Sequence, residues 1–311
     1  MTASIPAIAV VIVNWNGRHL LDACLASTLA QRPAPARTIV VDNGSTDGSL
    51  GHLRAHWPDV VALDAGANLG FSAGNNLGIR DALSAGADYI LLLNNDAELL
   101  PGALGELVAA LEESGPERWA AAPKILYRRD PGVIWSAGGR FAWWRGLSLD
   151  RGTNERDVGQ YDRPEPMEFA NGCCLLVRSQ VFREVGLLDD AYFMYFEDSE
   201  LAARAGRTGA RVAYRPAARV LHDVQGSTGG TGSGSSSVAL YYWTRNRYRF
   251  IARNVRGPGR RVAAHAYVLG TRVVRMTQAA LAGRFREARL IGRALVDGYV
   301  RRATGPTYPL A

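Results

Sequence analysis

Long apolar runs are missing from this 311-residue chain: no stretch reaches the roughly 18 consecutive apolar residues of a membrane-spanning helix. Nor does the N-terminal segment pair a basic stretch with an apolar one, which speaks against a secretory signal. Cysteine is scarce. Cys24, Cys173 and Cys174 are odd in number and lack metal-ligand spacing, so they read as buried, reduced thiols rather than a disulfide framework. Lysine occurs once, at Lys124, with Ala120 four residues before it, so the Tyr-x-x-x-Lys pair of a nicotinamide-dependent epimerase is absent. Also absent is the Gly-x-Gly-x-x-Gly turn that a dinucleotide-binding fold needs after its first strand. The first apolar run, Ile8–Val13, stops instead at Asn14-Trp15-Asn16-Gly17.

What is present is a globular composition, 47% hydrophobic and 21% charged, long enough for one large α/β domain with an appendage. Ile8–Val13, Thr38–Val41, Val60–Leu63 and Tyr89–Leu93 are short apolar runs separated by helical patterns over about 19–29 and 72–85. Fully apolar strands alternating with helices predict a mainly parallel sheet covered on both faces. Each run ends in a polar or Gly-rich turn, so the turns should line one crevice at the carboxyl edge of the sheet. Pro101 opens another helix. Residues 120–161 lack a clear period and read as irregular strands and loops facing a substrate; 168–177 read as one buried strand, and 199–205 as a helix. The organisation expected is a catalytic unit over 1–225, with halves of about 1–100 and 101–225, a mobile Gly/Ser loop over 226–237 and a basic helical tail over 238–311.

Charge is unevenly placed. From Leu240 onward there are 15 arginines and two acids, a balance of +13 against −6 for the rest. Arg245, Arg249 and Arg253 share one helical face. Val262, Ala266, Leu269, Val273, Met276 and Ala280 form an apolar stripe with Arg261, Arg272 and Arg275 to one side. A basic amphipathic tail reads as a peripheral contact with an anionic membrane surface. A helix docked on the core with solvated arginines is the plainer reading, and burial of the stripe against a second copy is a third. No nucleic-acid motif accompanies the charge, so nucleic acid is not an expected partner.

Asn94-Asn95-Asp96 is the sharpest local feature. Alone it would be an Asx-turn leading into the next helix, but Asp42 closes a neighbouring strand and Asn-containing turns converge on the same edge. The series Val13-Asn14-Trp15-Asn16-Gly17, Val41-Asp42-Asn43-Gly44-Ser45-Thr46-Asp47-Gly48-Ser49, Asn68-Leu69-Gly70-Phe71-Ser72-Ala73-Gly74-Asn75-Asn76 and Leu93-Asn94-Asn95-Asp96 resembles family 2 glycosyltransferases of the GT-A fold, and among them bacterial rhamnosyltransferases. The resemblance covers roughly residues 8–228.

The resemblance implies an inverting, metal-dependent transferase whose donor is a nucleotide-sugar, with dTDP-L-rhamnose favoured over UDP-hexose or UDP-galactofuranose. It implies that Asn14, Trp15 and Asn16 border the base pocket, that Asp42 contacts the nucleoside and that Asn68 lies near base and ribose. Asp96 would ligate Mg²⁺ or Mn²⁺ bridging the diphosphate, with Asn94 standing where the family often has its first Asp and Asn95 between them. That substitution leaves Asp96 as the one carboxylate of the motif, so the cation would lean on phosphate oxygens and water. His222 would complete the metal shell, although a lone His after an apolar strand is commonly structural. Asp198, in Glu197-Asp198, would be the general base, with Glu197 as fallback; an Asp there is equally suited to cap a helix. The polar loop after His222 would close over the donor diphosphate. Glu168–Cys174 resembles an acceptor-side strand, and Trp143 and Trp144 would stack on a sugar or pack in the core. The basic tail, whose arginines attract anionic lipid and diphosphate, points to a glycan or a polyprenyl-diphosphate-linked saccharide at the inner face of the plasma membrane as the acceptor. A non-enzymatic membrane-surface adaptor with a degenerate nucleotide pocket would have no use for Asp96, Asp198 and His222 together.

Overall fold

The computed structural model describes residues 6–224 and 237–307; the Gly/Ser tract 226–237 lies outside them except for Ser237. The four apolar runs form β1 (Ile8–Asn14), β2 (Arg37–Asp42), β3 (Val61–Asp64) and β4 (Tyr89–Asn94), joined by α1 (Arg18–Leu29), α2 (Ser49–His56) and α3 (Gly70–Ser84). They pair in parallel in the order β4-β1-β2-β3. Next in sequence come β5 (Ala97–Leu99), α4 (Ala103–Ser114), β6 (Arg118–Tyr127), β7 (Asp130–Ser136) and the hairpin β8 (Gly139–Ala142)–β9 (Leu147–Asp150). They are followed by β10 (Glu165–Met167), β11 (Cys174–Arg178), α5 (Ser179–Val185), α6 (Glu197–Ala205) and β12 (Arg211–His222). β11 lies antiparallel between β4 and β6, and β12 runs parallel to β6, so one mixed sheet continues across both halves.

Helices cover both faces, as all-apolar strands require. Leu21, Leu25, Leu104 and Leu107 of α1 and α4 pack on Val10, Ile12 and Leu91. On the other side Ile79, Val181 and Leu201 meet Val11, Ile39 and Leu92. Each such side chain contributes about 1.5–3 kcal/mol when buried. The three cysteines are buried and unpaired, and burial pushes their thiols up, which leaves them inert.

Two expectations give way here. Residues 118–127, read as the start of an irregular region, are a ten-residue buried strand between β11 and β12. The run Ala120-Ala121-Ala122 gave no periodic signal because small residues fit on either face of a doubly covered sheet. Conversely, strand pairing over 168–177 begins only at Cys174, because the backbone of Gly172 and Cys173 is diverted into contacts described below.

The tail is α7 (Ser237–Asn254), α8 (Pro258–Leu281) and α9 (Phe285–Leu295). Its first arginine row points inward. Arg245 is 1% exposed and donates to the carbonyls of Tyr192 and Ala191, at 2.8 and 3.2 Å. Arg249 and Arg253 both pair with Asp189. This face therefore docks on the core and offers no free charge to a membrane. The stripe of α8 does the reverse: Val262 is 68% exposed, Leu269 and Val273 are exposed, and the buried side carries Ala264, Val268 and Ala279. Met276 and Ala280 are half-buried at its margin.

The α7 contact restrains a segment that would not hold its shape alone. Phe193, Tyr195 and Phe196 have φ of 65°, 65° and 76°, in the left-handed region that bulky residues avoid at a cost of order 1–3 kcal/mol each. Asn246 Nδ2 donates to the carbonyls of Tyr192, Met194 and Tyr195 at 2.9, 2.8 and 2.8 Å, within a buried environment. Replacing Asn246 with Ala leaves those carbonyls without this donor, and the expected loss is about 2–3 kcal/mol of unfolding free energy by urea titration. An unchanged midpoint would show that the segment supports itself.

Candidate active site

Four turns meet at the carboxyl edge of β1–β4. Asn14, buried at the end of β1, donates from Nδ2 to Asp42 Oδ1 at 3.4 Å and to Ser45 Oγ at 3.3 Å, and its Oδ1 accepts from Asn95 Nδ2 at 2.8 Å. Asp42 is buried, and its other oxygen accepts from the backbone N–H of Ser45 at 3.0 Å. Asn16 Oδ1 accepts from Thr46 N–H at 2.7 Å, while Trp15 projects outward, 43% exposed. Asn43 Nδ2 donates to Asn68 Oδ1 at 3.2 Å. Gly17 opens α1 beneath this lattice: a Cβ there would lie 2.6 Å from Asn14 Oδ1 and collide with the Asn95 amide, so close approach rather than unusual φ requires glycine. The expected nucleoside-side residues are thus brought together, with Asn14 as their hub.

Asp96 and His222 meet through strand register. β5 begins one residue after Asp96 and pairs antiparallel with the end of β12, setting Ala97 opposite His222. The Asp96 carboxylate lies 3.1 Å from His222 Nε2, both side chains are buried, and Asp96 C=O accepts from Asp223 N–H at 2.9 Å. The edge of Trp135 meets the His222 ring at 4.4 Å between centroids. His222 Nδ1 is buried without a hydrogen-bond partner among the described residues. Asn94 is half-buried, with its backbone N–H on Cys173 C=O at 2.9 Å.

That bond leads to the base candidate. Gly172 N–H, one residue on from the Asn94 contact, donates to Asp198 Oδ2 at 3.1 Å. Asp198 sits in the first turn of α6, where Oδ1 also accepts from its neighbour Ser199 N–H at 2.6 Å. Burial raises the Asp198 carboxyl to about 6, an effect opposed by the Gly172 and Ser199 N–H groups and assisted by the Asp150 charge. Glu197 is pushed up by burial and then by Asp198. Tyr195 is raised to about 12, first by burial and then by the charges of Glu197 and Asp96. The carboxylates of Asp96 and Glu197 therefore act on one aromatic side chain. The helix-cap alternative fails: Phe196 is the N-cap of α6, no side chain caps the helix, and Asp198 is its second residue.

Asn171 and Gly172, from the segment resembling an acceptor-side strand, join the candidate site, and so does Asp150, which no motif announced. Asp150 Oδ1 accepts from Ser136 Oγ at 2.7 Å and Asn171 Nδ2 at 2.9 Å. Desolvation raises its carboxyl above the ordinary carboxylate range, and the hydrogen bonds from Ser136 and Asn171 oppose that shift. Asp150 lies in the stretch read as irregular, and only the pairing of β8 with β9 brings it beside Asp198. Trp143 belongs to the core, stacked on Phe141 at 4.3 Å, whereas Trp144 is 56% exposed against Tyr267.

A carboxyl with folded pKa near 6, against an ordinary 3.8, binds its proton more tightly folded than unfolded. Stability should therefore fall as pH rises from about 4 to 6, and the cost persists above that window. Asp198→Asn is expected to be more stable than wild type at pH 7 by about 3 kcal/mol, with the difference vanishing below pH about 4. Urea midpoints across this range measure it; a variant less stable than wild type at pH 7 would rule out a strained carboxylate.

Residues 9–186 match the family model described as glycosyl transferase family 2. The chain is 34% identical over 254 residues to the N-acetylglucosaminyl-diphospho-decaprenol L-rhamnosyltransferase of Mycobacterium tuberculosis, covering 74% of this chain and 79% of that one. Among solved structures it superposes on the mannosyltransferase PcManGT of Pyrobaculum calidifontis, in complex with GDP-Man and Mn²⁺, with a TM-score of 0.55, 18% identity and coverage of 94% and 81%. It also superposes on GalNAc-T7 with UDP, GalNAc and Mn²⁺, with a TM-score of 0.59, 19% identity and coverage of 78% of this chain and 48% of that one.

Proposed function

The chain belongs to glycosyl transferase family 2 and is a glycosyltransferase, and from that premise we propose that it moves L-rhamnose, with inversion, from dTDP-L-rhamnose to a polyprenyl-diphosphate-linked saccharide. The M. tuberculosis relative's name motivates both donor sugar and acceptor. The observation that carries the chemistry is the short path from Asp96 through Asn94, Cys173 and Gly172 to Asp198. It supports a donor diphosphate at the first residue and an acceptor hydroxyl at the last.

In this reading Asn14, Trp15, Asn16, Asp42, Asn68 and Asn95 form the nucleoside side. Asp96 and His222 fit a divalent cation, Mg²⁺ or Mn²⁺, because two adjacent ligands at about 2.1 Å from an octahedral ion stand about 3 Å apart. Their 3.1 Å separation matches, and among the described residues no third His, Cys, Asp or Glu joins them. The remaining positions suit diphosphate oxygens and water. When bound, such an ion stabilises negative charge on the leaving phosphate. Asp198 takes the acceptor hydroxyl proton as the new oxygen–anomeric carbon bond forms and the bond to the diphosphate breaks on the opposite face. A basicity near 6 keeps it ionised at neutral pH yet strong enough to accept that proton. Asp150 orients the hydroxyl.

Asp198→Asn should lower transfer at least 10³-fold while keeping Mn²⁺-dependent dTDP binding; His222→Ala should weaken that Mn²⁺ dependence, read by electron paramagnetic resonance. Wild-type transfer should decline below pH about 6 as the base protonates. Substantial turnover by Asp198→Asn would refute the base assignment.

The reading extends to a peripheral position on the inner face of the plasma membrane. No helix among the described residues is long and apolar enough to cross a bilayer. The outward side of α8 is nonetheless apolar along its length, through Val262, Leu269, Val273 and Leu281, and exposed arginines Arg286, Arg289 and Arg293 follow on α9. Apolar and basic surfaces side by side suit anionic headgroups. Leu269→Asp combined with Val273→Asp should lower sedimentation with anionic vesicles at least fivefold; undiminished co-sedimentation would remove α8 from the contact.

A further inference from the structure

The β8–β9 hairpin separates the base from a groove that the proposed reaction does not use. Ser148, paired across the hairpin with Phe141, turns to α6, where its Oγ meets Ser199 Oγ at 2.8 Å. Alternation along a strand sends Arg140 and Leu149, the neighbouring pair, to the other face. There they line a groove of about 530 Å³ together with Trp143, Trp144, Arg145 and Arg260, the last from the first turn of α8, while Phe141 and Ala142 border the same groove at the end of β8.

Three guanidinium groups line this groove, and among the described residues no carboxylate lies within ion-pair distance of any of them. Arginines elsewhere in the same region are treated differently. Arg249 and Arg253 share Asp189, Arg275 meets Glu287, and Arg293 and Arg301 share Asp297. Arg145 is also fixed in place. Its carbonyl accepts from Arg247 Nε at 3.2 Å, its guanidinium lies 5.1 Å over Tyr267 and 5.8 Å over Trp144, and its Nε is buried without a hydrogen-bond partner among the described residues. Preorganised, unpaired arginines are suited to bidentate capture of phosphate oxygens. The indoles and Leu149 add an apolar wall, which a free phosphate would have no use for and a hydrocarbon chain would.

We propose that this groove seats the diphosphate and first isoprene units of a polyprenyl-diphosphate-linked acceptor. The inference rests on the lipid-linked acceptor proposed above and gives its anionic group a location. One residue separates Leu149 in the groove wall from Ser148 and Asp150 on the base side, a rise of about 3.3 Å. A sugar attached to the diphosphate therefore has only the edge of one hairpin to cross. The hydrocarbon continues from Arg260 along the exposed apolar side of α8.

Calorimetric titration of the full chain with farnesyl diphosphate, inorganic pyrophosphate and farnesol tests this without any sugar transfer. Farnesyl diphosphate is expected to bind at least tenfold tighter than either fragment. Arg140→Gln with Arg260→Gln, both at exposed positions, should weaken it at least tenfold, and so should Leu149→Glu, with dTDP binding as the check on folding. Equal binding by wild type and both variants would overturn the proposal, as would pyrophosphate binding as tightly as farnesyl diphosphate, which would mark a bare anion site. Uptake by anionic vesicles alone, insensitive to the three substitutions, would overturn it too. Lost groove binding with transfer to a lipid-linked saccharide intact would sink this inference and spare the transferase reading; groove binding without transfer would do the opposite.

Discussion

Three backbone carbonyls, those of Tyr192, Met194 and Tyr195, converge on the amide of Asn246, and the position of Asp198 depends on that convergence. A turn with three aromatic residues at positive φ is disfavoured in isolation. It persists because α7 supplies donors that no water-exposed arrangement would offer so compactly. Arg245 adds two more contacts from the same helix. The consequence reaches the chemistry, because the turn ends at the first residue before α6 and so sets where Asp198 stands.

Strain and burial are matched there by local compensation. Asp198 is raised by burial, and without the N–H groups of Gly172 and Ser199 it would be raised further. A carboxylate in that balance is ionised at neutral pH and still basic, which is the compromise a proton acceptor needs. The carboxyl edge of β1–β4 is built differently. Asn14, Asp42, Ser45 and Asn95 hydrogen-bond one another there. One end of the crevice is preorganised by mutual hydrogen bonding, the other by a helix from 50 residues further along the chain.

That arrangement also changes the meaning of the basic tail. Its arginines differ in what they touch. Arg245 holds carbonyls, and Arg249 and Arg253 hold Asp189, so they build the active-site wall. Arg286, Arg289 and Arg293 lie on the exposed side of α9. Arg260 joins Arg140 and Arg145, which come from the β8–β9 hairpin and not from the tail, in lining a groove on the far side of that hairpin. A net charge of +13 therefore describes both a scaffold and a surface.

The alternation of apolar runs with polar turns was enough to establish β1–β4, their parallel order of use at one edge and the identity of the turn residues, because strands covered on both faces admit few other residues. Asp96 was legible as a candidate because it follows a strand that ends at that edge, whereas Asp198 and His222 were legible through the resemblance to family 2 glycosyltransferases. Their partnerships were not. His222 reaches Asp96 only through the antiparallel register of β5 on β12, 125 residues apart in the chain. Asp150 and Gly172 reach Asp198 only through a hairpin and an interrupted strand. The inward turn of Arg245 was equally hidden, since a helical face of arginines has one period whether it meets solvent or a ring of carbonyls. Sequence by itself determined which elements form and which side chains they carry to their ends. The tertiary structure decided which of those side chains face one another, because long-range pairing is set by packing between elements that no local pattern records.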